Sequence, residues 1–391
     1  MMNYLNAITI STIAIESCVE ISETTQDAVW QQSQNFSTPS TRLQAYLNRL
    51  CLLTVLPWLE EIWGIIAKPA PNLAVLHSFW EVVNGTAITI NQTRLILIPS
   101  LAIDINEIRV PQEWVDIPSW AGDYYLAVQV NTEDGWVKVW GYTTHLHLKQ
   151  PSNYSAGDRT YTLDYEDLIH DLDILWVTRQ LCPDAPTKTE VEPLDNLSLT
   201  QANNLLERLG NPAVKFPRLT VPFSLWGALL EHGGWRQRLY ELRTGITQQW
   251  SIIQWIQTGI SDLAKQLGWN YLDLETSLGS RGIAQTNEPV ILTRHLIIAG
   301  QNYELQVQSP GEITSGIWVI ELQSLSLQGL IPSGFKLRLL TEDLQPFPDN
   351  ECVADTATEK LAIELQLEAG EGLVWEIEPT PENYEREILR F

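Results

Sequence analysis

The stretch LAVLHSFWEVVNGTAITINQTRLILIPS, residues 73–100, decides the fold. Apolar side chains alternate through TAITI and RLILI, and Asn84-Gly85 offers two residues that accept positive φ angles, so the segment predicts a β-hairpin with a type I′ turn. A second hairpin is expected where YYLAVQV (124–130) and WVKVWGYTTHLHL (136–148) flank Asn131 to Gly135. Short strands with tight turns suit a small barrel or curled sheet that hides its edges. Residues 73–149 therefore read as an antiparallel β module.

Upstream, residues 1–72 read as mainly helical. Ser22 or Thr25 can cap a helix running to Gln34, and Thr38 followed by Pro39 opens another in which Leu43, Leu47, Leu50 and Thr54 keep one face. Downstream, QPSNYSAGDRT is a loop, and DYEDLIHDLDILWVTRQL (164–181) predicts a helix with an apolar stripe at 168, 169, 172, 175 and 176 and an acidic opposite face, giving a connecting acidic helix over 150–182. PDAPTKTEVEPLDN, residues 183–196, has three prolines and no periodicity, and reads as a linker.

A central helical block is expected over 197–285, with helices at 198–209, 223–243 and 246–267. Leu205, Leu206 and Leu209 form one face, and Gly210 stops that helix before Pro212. From 286 to 391 the sequence alternates again. ILTRHLIIAG, YELQVQ, GIWVIELQSL, FKLRLLTED, KLAIELQLE and GLVWEIEP are six strand candidates, which predicts an antiparallel β-sandwich. The fold class is thus α+β.

The region LSLTQANNLLERLGNPAVKFPRLTVPFSLWGALLEHGGWRQRLYELR (197–243) resembles the signature of a cyanobacterial family defined only as a domain of unknown function. The features carrying the likeness are Gly-Asn-Pro at 210–212, Pro-Arg-Leu at 217–219 and Trp-Arg-Gln at 235–237. IPSGFKLRLLTEDLQPF (331–347) and LQLEAGEGLVWEIE (365–378) are similar to that family's closing β region. The resemblance implies a cytoplasmic cyanobacterial protein and brings no activity, cofactor or catalytic residue with it.

The 391 residues carry 48 Asp and Glu against 24 Lys and Arg, a net charge of −24. A nucleic-acid partner is not expected, because phosphate affinity comes from lysine and arginine. The opening MMNYLNAITISTIAIESCVEISE lacks a basic start and is broken by Ser and Thr, so export is not expected. The longest apolar run, Cys51 to Ala67, contains Pro57, Glu60 and Glu61, which argues against a membrane span. Four scattered cysteines without a CxxC pair fit reduced thiols in the cytoplasm.

Residues 197–285 hold 8 basic and 6 acidic groups, whereas the flanks hold 10 and 24, and 6 and 18. Lys215, Arg218, Arg236, Arg238 and Arg243 in this near-neutral block are therefore candidates to face an acidic protein partner, or to dock onto acidic modules of the same chain. Trp136 and Trp140, evenly spaced on a strand, are candidates to line a groove or to cover the small barrel's core, while Trp226, Trp235, Trp250 and Trp255 read as core.

Catalytic signatures are sparse. His145 and His147, two apart in a strand, would share a face and could begin a metal site with a third group such as His77, but two ligands do not complete a zinc sphere. His170 between Asp167 and Asp171 could be polarised by a carboxylate for base catalysis, but on a helix surface it reads as part of a solvated charge cluster, as does the dense set Asp164, Glu166, Asp167, Asp171 and Asp173. Cys182 precedes a proline, and exposure alone does not activate a thiol. Gly279, Arg281 and Gly282 form a short turn outside any phosphate-loop context. No cofactor and no resident metal are expected. The sequence favours a non-enzymatic adaptor or regulatory subunit; the alternative is a hydrolase or metal-dependent enzyme assembled from distant segments.

Overall fold

The computed structural model describes residues 18–272, 290–311, 315–326 and 329–391. The opening apolar segment through residue 17 and the Gly279–Gly282 turn lie outside the described residues.

The chain divides into two compact units. The first takes the described residues through Leu197 together with 201–232 and 236–245. It opens with β1 (Val19–Glu20), α1 (Glu23–Ser33) and α2 (Pro39–Trp63). Of the two cap candidates Ser22 caps α1, accepting from the Thr25 N–H, and α2 opens at Pro39 after Thr38, which also closes a capping box with Thr41. Gly64 ends α2 in the left-handed conformation. The face carrying Leu47, Leu50, Cys51, Val55 and Leu59 is buried against the sheet, each such side chain contributing about 1.5–3 kcal/mol.

That sheet has six strands. β2 (Ala67–Pro69) precedes α3 (Leu76–Trp80), then come β3 (Thr86–Ile90), β4 (Thr93–Ser100), β5 (Glu107–Pro111), α4 (Glu113–Asp116), β6 (Tyr124–Asn131) and β7 (Trp136–Thr144). The order is β1-β7-β6-β4-β3-β2, with β4 and β6 parallel and every other pairing antiparallel. β6 and β7 form the expected second hairpin. The first one is displaced. Residues 73–80 form a 3-10 turn and α3 instead of a strand, and the hairpin closes at Asn91-Gln92, where Asn91 has φ 54°. Val75, Leu76, Phe79, Trp80 and Val83 recur at spacings of three and four, a helical pattern that coexists with the alternation downstream, and Asn72 caps the turn by accepting from the Ala74 N–H. Gly85 serves packing: at φ 116°, a Cβ there would lie 2.6 Å from Trp114 Nε1.

After β7 come a helical turn, α5 (His145–Leu148), β8 (Tyr154–Ser155), β9 (Thr160–Asp164) and α6 (Leu172–Leu181). β5, β9 and β8 make a three-stranded sheet. The connecting acidic helix expected over 150–182 is therefore corrected: only 172–181 is α-helical, and Asp164, Glu166 and Asp167 sit at a strand end and in a 3-10 turn. Residues 183–198 have no helix or strand. They are nonetheless anchored, with Thr187 Oγ1 donating to Asp123 and the Thr187 carbonyl accepting from the Leu146 N–H.

The expected separate block over 197–285 is also revised. Most of α7 (Leu199–Leu209), all of α8 (Phe223–Glu231) and most of α9 (Gly233–Thr244) belong to the first unit, where Leu205, Leu206 and Leu209 are buried. The second unit takes Ser198–Thr200, Gly233–Trp235 and Ile246–Phe391. It holds α10 (Ile252–Thr258), α11 (Asp262–Gln266), β10 (Trp269–Tyr271), β11 (Ile291–Ile298), β12 (Gln301–Gln308), β13 (Ile317–Ser324), β14 (Lys336–Thr341), β15 (Glu351–Val353), β16 (Lys360–Gln366), β17 (Gly372–Glu378) and β18 (Ile388–Arg390). Two antiparallel sheets, β10-β11-β12-β13-β16 and β15-β14-β17-β18, face each other through Trp318 against Phe391 and Tyr303 against Phe335. Buried Arg294 of β11 reaches Glu387 at 2.5 Å and lies over the rings of Trp269 and Trp375. Burial pushes the Glu387 carboxyl above its usual range, with Arg294 and the two indole N–H groups pulling it back.

Candidate functional site

Most of the basic side chains proposed as a partner-facing set are internal. Arg243 is buried, with Nε 2.7 Å from Glu81 Oε1 and Nη1 donating to the Leu209 carbonyl at 2.9 Å. Arg236 is buried over the Phe79 ring, 3.8 Å from its centroid, and donates to Ser78 Oγ and the Leu230 carbonyl. Arg218 grips Glu113 through two nitrogens at 2.9 and 2.7 Å, and Trp226 Nε1 donates to the same carboxylate at 2.7 Å. These three cations hold α9 and the chain before α8 to carboxylates and carbonyls of the first unit. Of the five candidates, Lys215 is exposed and Arg238 half-buried beside Glu241 at 3.3 Å.

The histidines do not converge. α5 replaces the expected strand at 145–148, so His145 points inward and His147 outward. His145 Nε2 lies 2.9 Å from the Val115 carbonyl, and Nδ1 accepts from the Thr189 N–H at 3.3 Å; the neutral ring with its hydrogen on Nε2 satisfies both. Burial lowers its pKa, in keeping with that state. His77 is hydrogen-bonded to Gln237 at 2.9 Å. His170 is not on a helix face: its two ring nitrogens meet the Trp140 and Tyr165 carbonyls at 2.8 and 3.0 Å. Among the described residues, no three His, Cys, Asp or Glu side chains converge as a metal set.

Trp136 is half-buried beside β1, whereas Trp140 is buried at a β-bulge where Ala127 pairs with Gly141 and Val128 with Val139. The bulge breaks the even-spacing argument, since the extra residue is Trp140 itself. Its ring stacks on Tyr165 at 5.7 Å.

The surface that emerges instead is built on α6. Leu172 and Leu175 are buried, and Trp176 stacks on Trp63 of α2 with ring centroids 5.3 Å apart and planes 8° off parallel. At 100° per residue, Ile174, Val177 and Leu181 fall on the opposite side, and they are 48%, 47% and 76% exposed. Asp173 flanks this stripe and Asp171 caps the helix by accepting from the Asp173 N–H. Beside the inner face lies a cleft of about 380 Å³ whose apolar wall is Trp63, Trp176, Leu175, Leu95 and Ile90. Its polar rim includes Arg179, Gln180 and Thr93. The indole N–H of Trp63 is buried and has no hydrogen-bond partner.

A family model described as "Protein of unknown function (DUF1822)" matches residues 19–390. The chain belongs to this family. No curated protein and no solved structure matches it. Among the described residues of this DUF1822 protein, no helix is long and apolar enough to cross a membrane.

Sequence reasoning missed Ile174, Val177, Leu181, Trp63 and Arg179, and had Trp176 only as part of the inner apolar stripe. The signal was present in LDILWVTRQL, where two apolar stripes half a turn apart occupy one ten-residue helix. Such a helix is either enclosed on both sides or leaves one apolar face outward. Starting the helix at residue 164 hid this by assigning the acidic residues to its outer face.

Proposed function

We propose that this DUF1822 protein is a non-enzymatic adaptor or regulatory subunit in the cytoplasm of a cyanobacterium, and that it docks a basic amphipathic helix of a partner protein on α6. The observation that carries the reading is the outward stripe Ile174, Val177 and Leu181. An apolar helix face in water is a recognised mark of a partner surface, and helix-on-helix docking reads such i, i+3, i+7 anchors. The acidic surroundings choose the partner's sign. Asp171 and Asp173 lie at the start of the stripe and Asp184 just past its end, on a chain of net charge −24. Engagement of Arg218, Arg236 and Arg243 inside the fold supports this placement over the cationic one.

The test is fluorescence anisotropy with a labelled Leu/Lys amphipathic peptide and its Leu/Glu counterpart. Saturable binding of the first alone is expected, weakening as added salt screens the attraction between opposite charges. Ile174→Lys with Leu181→Lys should abolish it while leaving the circular dichroism spectrum unchanged. Equal binding of both peptides, or undiminished binding by the variant, would refute the reading.

A further inference from the structure

We infer that the cleft between α2 and α6 is a binding site for a small hydrophobic monocarboxylate. The inference stands apart from the docking reading, since it concerns the inner side of α6 and needs no protein partner.

Shape and lining come first. A volume of about 380 Å³ lies within the range of small-molecule pockets, roughly 300–1,000 Å³, near its lower end. One wall is aromatic and aliphatic, formed by Trp63, Trp176, Leu175, Leu95 and Ile90, with Pro183 at the edge. The two indoles are in contact with each other, so a guest lies alongside the stacked pair and not between them. An apolar body fits this wall.

Charge decides the head group. Acidic residues outnumber basic ones 48 to 24, yet among the described residues Arg179 has no carboxylate within ion-pair distance; the group it acts on is the neutral phenol of Tyr124. A guanidinium that lines a cleft and lacks an anion matches a carboxylate through paired N–H donors. Gln180 and Thr93 add neutral hydrogen-bonding groups on the same rim. A single cation in so acidic a protein is poorly suited to a polyanion such as a nucleotide, because the long-range field repels multiple negative charge. One carboxylate on an apolar body is what this lining complements.

Isothermal titration calorimetry of the full chain with octanoate and with octanamide, its neutral counterpart, tests the inference. Saturable binding of octanoate is expected, at least tenfold tighter than octanamide. Arg179→Gln should remove that preference while leaving the weak amide binding in place, and Trp176→Ala should weaken both ligands. If Arg179→Gln fails to fold, judged by its melting curve, the comparison of the two ligands on the unaltered chain still decides. No saturable heat from octanoate up to millimolar concentration, equal affinity for acid and amide, or a preference that survives Arg179→Gln overturns the site. Because neither ligand resembles a peptide, failure here leaves the α6 docking reading to its own experiment.

Discussion

Arg243 and Glu81 are both sealed from solvent, and each has further partners: Glu81 also accepts from Ser37, and Arg243 reaches the Leu209 carbonyl. Removing one partner strands the other's charge in the interior. Arg243→Met or Glu81→Gln alone should therefore lower stability by about 3–5 kcal/mol, and the double change by less than the sum. Urea unfolding of the four proteins measures this; additive losses would show the two groups to be independent. His77 gives a pH-dependent counterpart. Burial pushes its pKa down to about 4, assisted by Arg236 and Arg49 and opposed by the hydrogen bond with Gln237. The unfolded chain protonates this ring near 6.5 and the folded one only near 4, so between those values the unfolded state holds more protons and stability falls with falling pH. His77→Gln should lose this component, and parallel stability curves for the two proteins from pH 7 to 4.5 would contradict it. Neither role was readable beforehand. An arginine in a helical block looks the same whether its carboxylate is solvent-side or, as for Glu81, 162 positions away in the chain and buried with it.

At the scale of elements, the sequence spoke clearly where one periodicity acted alone. The capped helices at 23–63, the β6–β7 hairpin and the six C-terminal strands follow from caps, turn residues and alternation. It misled where two patterns overlapped. Residues 73–83 satisfy both helical spacing and local alternation, and Asn84-Gly85 resembled a hairpin turn although Gly85 is needed because Trp114 occupies the space of a side chain. Gly85→Ala should accordingly destabilise the first unit, by about 1–3 kcal/mol from backbone strain at positive φ and further through the clash with the indole. Thermal unfolding followed by near-UV circular dichroism checks this, and a melting point equal to that of the parent protein would mean that Trp114 and the turn relax without cost. The site on α6 was legible in part: the inner stripe Leu172, Leu175, Trp176 was read, and the outer one was lost with the helix start.

At the scale of the molecule, the proline-rich stretch at 183–196 is the obvious place to cut, yet the compact units do not divide there. The second unit recruits Ser198–Thr200 and Gly233–Trp235 from helices whose remaining residues belong to the first. Within the second unit these short pieces are tightly placed. Trp235 is buried and its Nε1 donates to Glu342 at 3.2 Å, and Gly234 meets Ile388 so closely that a Cβ would overlap it. A fragment of residues 246–391 keeps all nine strands β10–β18 but loses the Trp235 ring and exposes the apolar surface beneath it. Such a fragment should retain strand signal in far-UV circular dichroism while losing near-UV structure and binding ANS, the signature of secondary structure without fixed packing. Trp235→Phe in the full chain isolates the hydrogen bond from the ring, and should cost about 1.5–3 kcal/mol because the acceptor is a buried carboxylate. Cooperative unfolding of the 246–391 fragment with a sharp near-UV spectrum would show instead that its two sheets close without the residues borrowed from α7 and α9.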